Sequence, residues 1–424
     1  MVKLFYFIFS FFIFQISFSQ DNKLFHNLDV PVSQYNFERD SNSFSVLQIP
    51  LLNFEFNIYS SPRLNSFLIK SNNNLILNLN LFANNINDYS HHIFDFSNSL
   101  AYYAVKKNNH INSFGLNHHF FSELSLSDDI VSLIVNGNYQ YLNKNIDFSN
   151  SFFRGLNYFS FYWGYDKYFS NELVVGAKFK FVKGVSRFGL DIQNVNMSLI
   201  NNIATENNPF STNSHIDLYY FTNNNFDIFS NPGLAFDFSM QYKLGQSTFF
   251  YTSISELGFI VWQEDQYAYQ GSFEYDGLNY DLNQDIAVEF NNLFDSIVNL
   301  IDTKDISNVS KVDFLPFSID LGFTYNTDVN FSKFMINYNL KKLTNSLLHT
   351  GSVSYLYYFP SYQICLVPNY SVNKFNYFNL SFFFQKKWFD KLYTNFYLKN
   401  CVGFINENSR ARNVGFGMEL LLLF

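Results

Sequence analysis

Cysteine is nearly absent, with two residues in 424, too few for a disulfide-stapled scaffold. The segments holding Cys365 and Cys401 are separated by one alternating segment. Two strands with a third between them sit ~10 Å apart, beyond the reach of a disulfide, so both thiols are expected to stay unpaired. Charge is also scarce, at 15% of residues with a net value of −8. Lys and Arg form no cluster, which excludes a nucleic-acid partner. Past the N-terminus no stretch approaches the ~20 apolar residues of a spanning helix. There is no GxSxG, HExxH, P-loop or dinucleotide fingerprint. The chain is therefore not expected to be an enzyme, and no catalytic group, cofactor or resident metal is expected.

What is abundant is aromatic: 56 Phe and 30 Tyr, with Asn at about one position in seven. The 47% apolar share is that of an ordinary folded protein. The N-terminus reads as an export signal. Lys3 precedes an apolar run from Leu4 to Ile16, and Ser17–Phe18–Ser19 supplies the small-x-small spacing before Gln20. No Cys follows that run, so no lipoprotein anchor is expected.

Beyond it, residues alternate with period two. In 234–243, Leu234, Phe236, Phe238, Met240 and Tyr242 oppose Ala235, Asp237, Ser239, Gln241 and Lys243. In 317–326, Phe317, Ile319, Leu321, Phe323 and Tyr325 oppose Ser318, Asp320, Gly322, Thr324 and Asn326. In 173–182, Leu173, Val175, Ala177, Phe179 and Phe181 oppose Gly176, Lys178 and Lys180. Similar segments fall near 44–60, 99–106, 111–123, 131–137, 156–168, 188–201, 247–260, 331–341, 350–359, 361–371, 374–386 and 391–404. Ten residues is about what a tilted strand needs to cross a bilayer.

The last segment, 414–424, alternates Val414, Phe416, Met418, Leu420, Leu422 and Phe424 against Gly415, Gly417 and Glu419. Phe416, Leu420, Leu422 and the terminal Phe424 read as the C-terminal signal that outer-membrane barrels present to the barrel-assembly machinery. One segment departs from alternation. From 285 to 305, Ile286, Phe290, Leu293, Ile297 and Leu300/Ile301 recur at three and four, predicting an amphipathic helix in a loop. The expected fold is all-β: a closed antiparallel transmembrane barrel of about 14 strands, range 12–16. Residues 1–19 are the signal peptide. Residues 20–43 form an N-terminal segment, a hatch or periplasmic extension, and 44–424 form the barrel in the cell outer membrane.

Candidate chemistry is thin. Lys178, Lys180, Asp237, Gln241 and Asp320 occupy polar faces and are expected to point into the lumen. Neither His91–His92 nor His118–His119 forms a chelating pair by itself, because neighbours on a strand face opposite ways. Asp276, Asn279, Asp281, Asn283 and Asp285 make an oxygen-rich run. Ile286 and Asn292 stand where an EF-hand counted from Asp281 needs Gly and Glu, so a solvated loop is expected there.

Several stretches resemble an uncharacterised family of Bacteroidota outer-membrane barrels known only as a domain of unknown function. The family is distantly similar to FadL-like and type IX secretion-associated barrels. The resemblance rests on Val175–Gly184, on Gly233–Lys243 followed by Ser255–Trp262, and on Leu315–Pro316 leading into Leu321–Gly322. It continues in Asn400–Asn406 and Arg412–Gly417. Near the N-terminus the match is loose: Pro31–Gln34 and Gln48–Pro50 are retained in part, but Asn36 is followed by Phe37–Glu38 rather than Pro-Ala. The resemblance implies fold and location but no activity. Two functions are expected to compete. One is a channel or transporter for small solutes, hydrophobic ones included. The other is a non-transporting anchor or subunit of a cell-surface secretion or motility complex, with cell-surface protein partners.

Overall fold

The computed structural model describes residues between 43 and 423. The segments 1–42, 202–209, 224–229, 276–301 and 402–411, several shorter connections and residue 424 are not among the described residues. The chain begins with β1 (Ser43–Gln48), β2 (Phe54–Ser60) and a detached hairpin of β3 (Leu68–Ser71) and β4 (Asn74–Leu77). Then come β5 (Tyr89–Lys107), β6 (His110–Ser127), the helix α1 (Asp128–Asn136), β7 (Asn145–Asp147), β8 (Phe152–Tyr168) and β9 (Leu173–Ile192). β10 (Asn196–Asn201), β11 (Phe210–Asn223), β12 (Pro232–Lys243), β13 (Thr248–Tyr275), β14 (Asp302–Phe314) and β15 (Phe317–Asn326) follow. The chain finishes with β16 (Lys333–Lys342), β17 (Leu347–Phe359), β18 (Ile364–Asn373), β19 (Asn379–Trp388), β20 (Leu392–Lys399) and β21 (Asn413–Leu423).

Every wall pairing is antiparallel, and the ring closes where β21 meets β1 and β2. Five wall positions hold two segments each. β1 and β2 both lie between β5 and β21; β11 and β12 both lie between β9 and β13; β14 and β15 both pair with β13. β10 continues the β9 position along β11, and β7 continues the β8 position along β10. With only the β3–β4 hairpin in a separate sheet, the wall is a closed barrel of 14 strands. Closure removes every unpaired edge, which a sheet in lipid requires.

Alternation sorts the side chains as the sequence implies. Outward residues include Phe161 (56% exposed), Phe179, Phe236 (53%), Phe323, Ile336 and Phe382. A belt of aromatic and aliphatic side chains around a closed sheet is what lipid covers in a transmembrane barrel. Inward residues are small, polar or paired. Tyr162 and Tyr251 lie flat across the glycines directly opposite them, Gly115 and Gly322. A Cβ on either glycine would fall 2.4 Å or less from the ring. The missing side chain is what lets each tyrosine reach along the inner wall.

Three expectations change. Residues 131–136 of the segment expected over 131–137 are not a strand. They fall in α1, because the Ser127 hydroxyl accepts the Ile130 N–H at 3.3 Å and Asp128 and Asp129 lie in the first turn; residue 137 lies outside the described residues. Val131 then packs with Ala83 and Ile86. Of the helix expected over 285–305, residues 285–301 lie outside the described residues, and 302–305 are strand, paired to Tyr267–Gln270 of β13. Long-range pairing there overrides local periodicity. The segments 44–60 and 188–201 are each broken in two, and several strands far exceed ten residues, β13 reaching 28. The signal peptide, nearly all of the N-terminal segment 20–43, the Asp276–Asp285 run and Phe424 also lie outside the described residues.

The barrel ends differ. β21 finishes at an end closed by short turns, such as Asn108–Asn109 and residues 244–247. The opposite end carries the longer connections, with α1 and the extensions of β9, β11, β13 and β14.

Candidate functional site

A cluster of charged side chains lies inside the barrel. Lys178 and Lys180 on β9 and Asp237 on β12 share the inner face, with Lys178 directly opposite Asp237. Lys180, 5% exposed, puts Nζ 2.9 Å from Asp237 Oδ1 and also bonds Glu256. Lys178 Nζ is 4.0 Å from Asp237 Oδ2 and sits over the Tyr162 ring. Asp320 stands apart from this group, accepting hydrogen bonds from Asn339 Nδ2 at 2.6 Å and Ser253 Oγ at 3.3 Å. Gln241, on the same face of β12, is half-buried and sits nearer the short-turn end.

Glu256, the centre of the lysine cluster, escapes simple alternation. Between Phe236 and Phe238 the β12–β13 register shifts, so Ser255 and Glu256 together oppose Asp237. Glu256 has φ 63°, and its N–H donates to Asp237 Oδ1 at 2.8 Å. This is a β-bulge, which re-aims one side chain. Here it turns a carboxylate toward His119 Nε2, 4.0 Å away, and within 3.5 Å of the Tyr158 hydroxyl.

A cavity of about 340 Å³ occupies the middle of the lumen. Glu55, Asp95, Glu256, Asp320, Lys341 and Lys399 reach it. The charges are spoken for: Lys341 pairs with Asp95 and Lys399 with Glu55 at 2.7 Å. β16 and β5 lie half the ring apart, so the Lys341–Asp95 pair ties opposite walls together. The rest of the lining is mostly Asn, Ser and Tyr. Of the charged residues only Asp320 was singled out from the sequence. Apart from Glu256 on its bulge, the charged ones occupy ordinary polar positions on alternating strands, and only closure of the sheet brings them face to face.

Toward the long-loop end the lumen narrows. The turn after β16 and the turn after β18 fold onto the wall across from them. Leu343, Leu348 and Phe375 pack with Ile93 and Phe121. Ser346 Oγ donates to Glu123 Oε1 at 2.8 Å, the carboxylate that also meets His91 Nε2 at 2.8 Å. Asn373 Oδ1 accepts the N–H groups of Phe375 and Asn376, both at 2.9 Å, which fixes the second turn. Burial pulls the Lys374 amine below its usual pKa, with Glu123 opposing that shift.

The histidine doublets split: His91 meets Glu123 while His92 Nδ1 lies 3.1 Å from Ser60 Oγ. Likewise His118 meets Asn157 Oδ1 at 2.7 Å, and His119 stacks on Tyr158. Cys365 and Cys401 are both free and buried. On the closing strand, Phe416 faces outward among Phe54 and Phe56, and Leu420 and Leu422 share its face.

A family model, the Family of unknown function (DUF5723), matches residues 38–392, most of the chain. The chain belongs to this family. The matched DUF5723 region runs from just before β1 to the start of β20, taking in all the cavity residues except Lys399 and Asn413. No curated protein matches the chain. Among solved structures it is similar to the Ralstonia pickettii toluene transporter TbuX, at 8% identity over 90% of this chain and 88% of that one, with a TM-score of 0.42. It is similar also to a Pseudomonas aeruginosa FadL homologue, at 9% identity over 91% and 90%, TM-score 0.39. A third is the translocator domain of the autotransporter NalP from Neisseria meningitidis, at 5% identity over 91% and 90%, TM-score 0.35.

Proposed function

We propose that this DUF5723 protein is an outer-membrane barrel that carries small solutes across the membrane by way of its central cavity, and that it is not an enzyme. The observation that carries the reading is the cavity itself: about 340 Å³ ringed by polar and aromatic side chains, inside a wall whose outer belt suits lipid. A barrel serving only as a membrane plug has no need of a lined void, since interiors otherwise close-pack. The pinched long-loop end makes the route a gated one. Small constrictions of this kind let a pore switch between closed and conducting states without moving the wall.

Single-channel recording in planar bilayers tests the reading. Purified, folded protein is expected to give discrete, low-conductance openings. Bilayers that stay sealed, together with liposomes that take up no solute, would overturn it. A second reading has one observation in its favour: the Lys341–Asp95 pair ties opposite walls across the lumen, as expected of a rigid membrane anchor for a cell-surface complex. Sealed bilayers combined with co-purification of a surface protein would favour that role.

A further inference from the structure

The two sides of the central cavity differ in chemistry. On one, three adjacent strands present small neutral hydrogen-bonding side chains in register. Asn337 of β16, Ser352 of β17 and Ser371 of β18 form one row. Asn369, opposite Ser354, continues the patch. Internal bonds use only part of this capacity: Ser354 Oγ donates to Asn369 Oδ1 at 2.9 Å, and the Tyr251 hydroxyl donates to Asn337 Oδ1. Both bonds occupy the amide oxygen, leaving each Nδ2 with its two donors. On the other side, Tyr59, Phe121 and Tyr158 supply aromatic surface.

Charge decides between solute classes. The carboxylates at the cavity are engaged: Asp95 by Lys341, Glu55 by Lys399, Glu256 by Lys180 and Asp320 by Asn339 and Ser253. An anionic solute would have to break one of these pairs and leave a buried charge uncompensated, and a cation would have to displace the hydrogen bonds that Asn339 and Ser253 give Asp320. A wholly apolar solute would strip water from the amides and hydroxyls and return no hydrogen bonds. A neutral solute with many hydroxyls and an apolar ring face meets neither cost. The volume sits at the small end of the ~300–1,000 Å³ range for small-molecule pockets.

The geometry points to the central cavity as a binding site for a neutral polyhydroxylated solute of mono- or disaccharide size. Its hydroxyls bond the Asn337, Ser352, Asn369 and Ser371 patch, and its ring face lies against the tyrosines. This deepens the transport reading and rests on it for its physiological sense, but the binding is measurable without transport.

The test is isothermal titration calorimetry of the full chain, folded in a detergent that carries no sugar headgroup. Glucose and maltose are the probes, and toluene, lysine and glutamate the comparisons. Saturable heat is expected with at least one sugar and with none of the comparisons. Asn369→Leu and Ser352→Val are each expected to weaken sugar binding by about three- to tenfold, the worth of one neutral hydrogen bond. A heat-modifiable gel shift identical to the parent's would show that both variants still fold. Saturation by toluene or by either charged amino acid without sugar binding would overturn the proposal. So would sugar binding unchanged in both folded variants. If the bilayers conduct but neither sugar binds, the sugar site falls and the transport reading stands. If sugar binds but bilayers stay sealed, transport falls and the site stands.

Discussion

Lys180 is held between two carboxylates at a depth where 5% of its side chain meets solvent. Removing one partner of such a cluster costs more than the cluster contributes, because the partners left behind remain buried and charged. Lys180→Met is therefore expected to lower stability by about 3–5 kcal/mol, read as a lower temperature for the gel shift from folded barrel to extended chain. Replacing Asp237 and Glu256 together with Lys180, by Asn, Gln and Met, is expected to recover much of that loss. The tyrosine–glycine pairs act at the same scale. Gly322→Val places branched carbons where the Tyr251 ring lies. It is expected to cost about 1–3 kcal/mol by overpacking, as a lower urea midpoint, and to disturb the hydrogen bond that Tyr251 gives Asn337. Both lysines and Asp237 were readable from alternation, since period two assigns each strand residue a face. Glu256 was not, because a bulge shifts the phase by a residue and alternation beyond it misassigns the faces.

In the transport reading, the turns after β16 and β18 are the elements expected to limit the route. Their hold on the opposite wall consists of one apolar cluster and one carboxylate, Glu123, which is fully buried and bonded to His91 and Ser346. Phe375→Ala empties the apolar wedge between His91 and Tyr59. It is expected to raise single-channel conductance or open probability several-fold, while the gel shift still reports a folded barrel. Conductance unchanged by this variant would mean that the turns do not limit the route. The helix α1 teaches a related lesson. Its sequence, with four Val or Ile residues in nine, alternates well enough to predict a strand, yet a serine cap and two acidic residues start a helix beside Ala83 and Ile86. Short segments of mixed propensity are settled by what they pack against.

For the whole molecule, the two cysteines offer a check on burial that does not depend on function. Cys365 lies within the wall and Cys401 beside the end of β20, its Sγ donating to the Leu380 carbonyl at 3.0 Å. Burial pushes the Cys401 thiol above its usual pKa, so the reactive thiolate is scarce at neutral pH. A thiol reagent is expected to label neither cysteine in the folded, detergent-solubilised protein and both after full denaturation. Rapid labelling of either in the folded state would contradict their placement.

The sequence by itself determined the class of the molecule. Period-two alternation with Phe and Tyr on one face, polar residues on the other and no spanning helix leaves few solutions besides a closed sheet facing lipid, because backbone groups in a membrane must all be paired. It also determined which face most wall residues take. Only the tertiary structure decided what the inside does. Cavity partners such as Asp95 and Lys341 lie 246 residues apart in the chain, and no local pattern relates them. They meet because 14 strands, five of them built from two segments, close into one ring and set opposite walls within hydrogen-bonding distance.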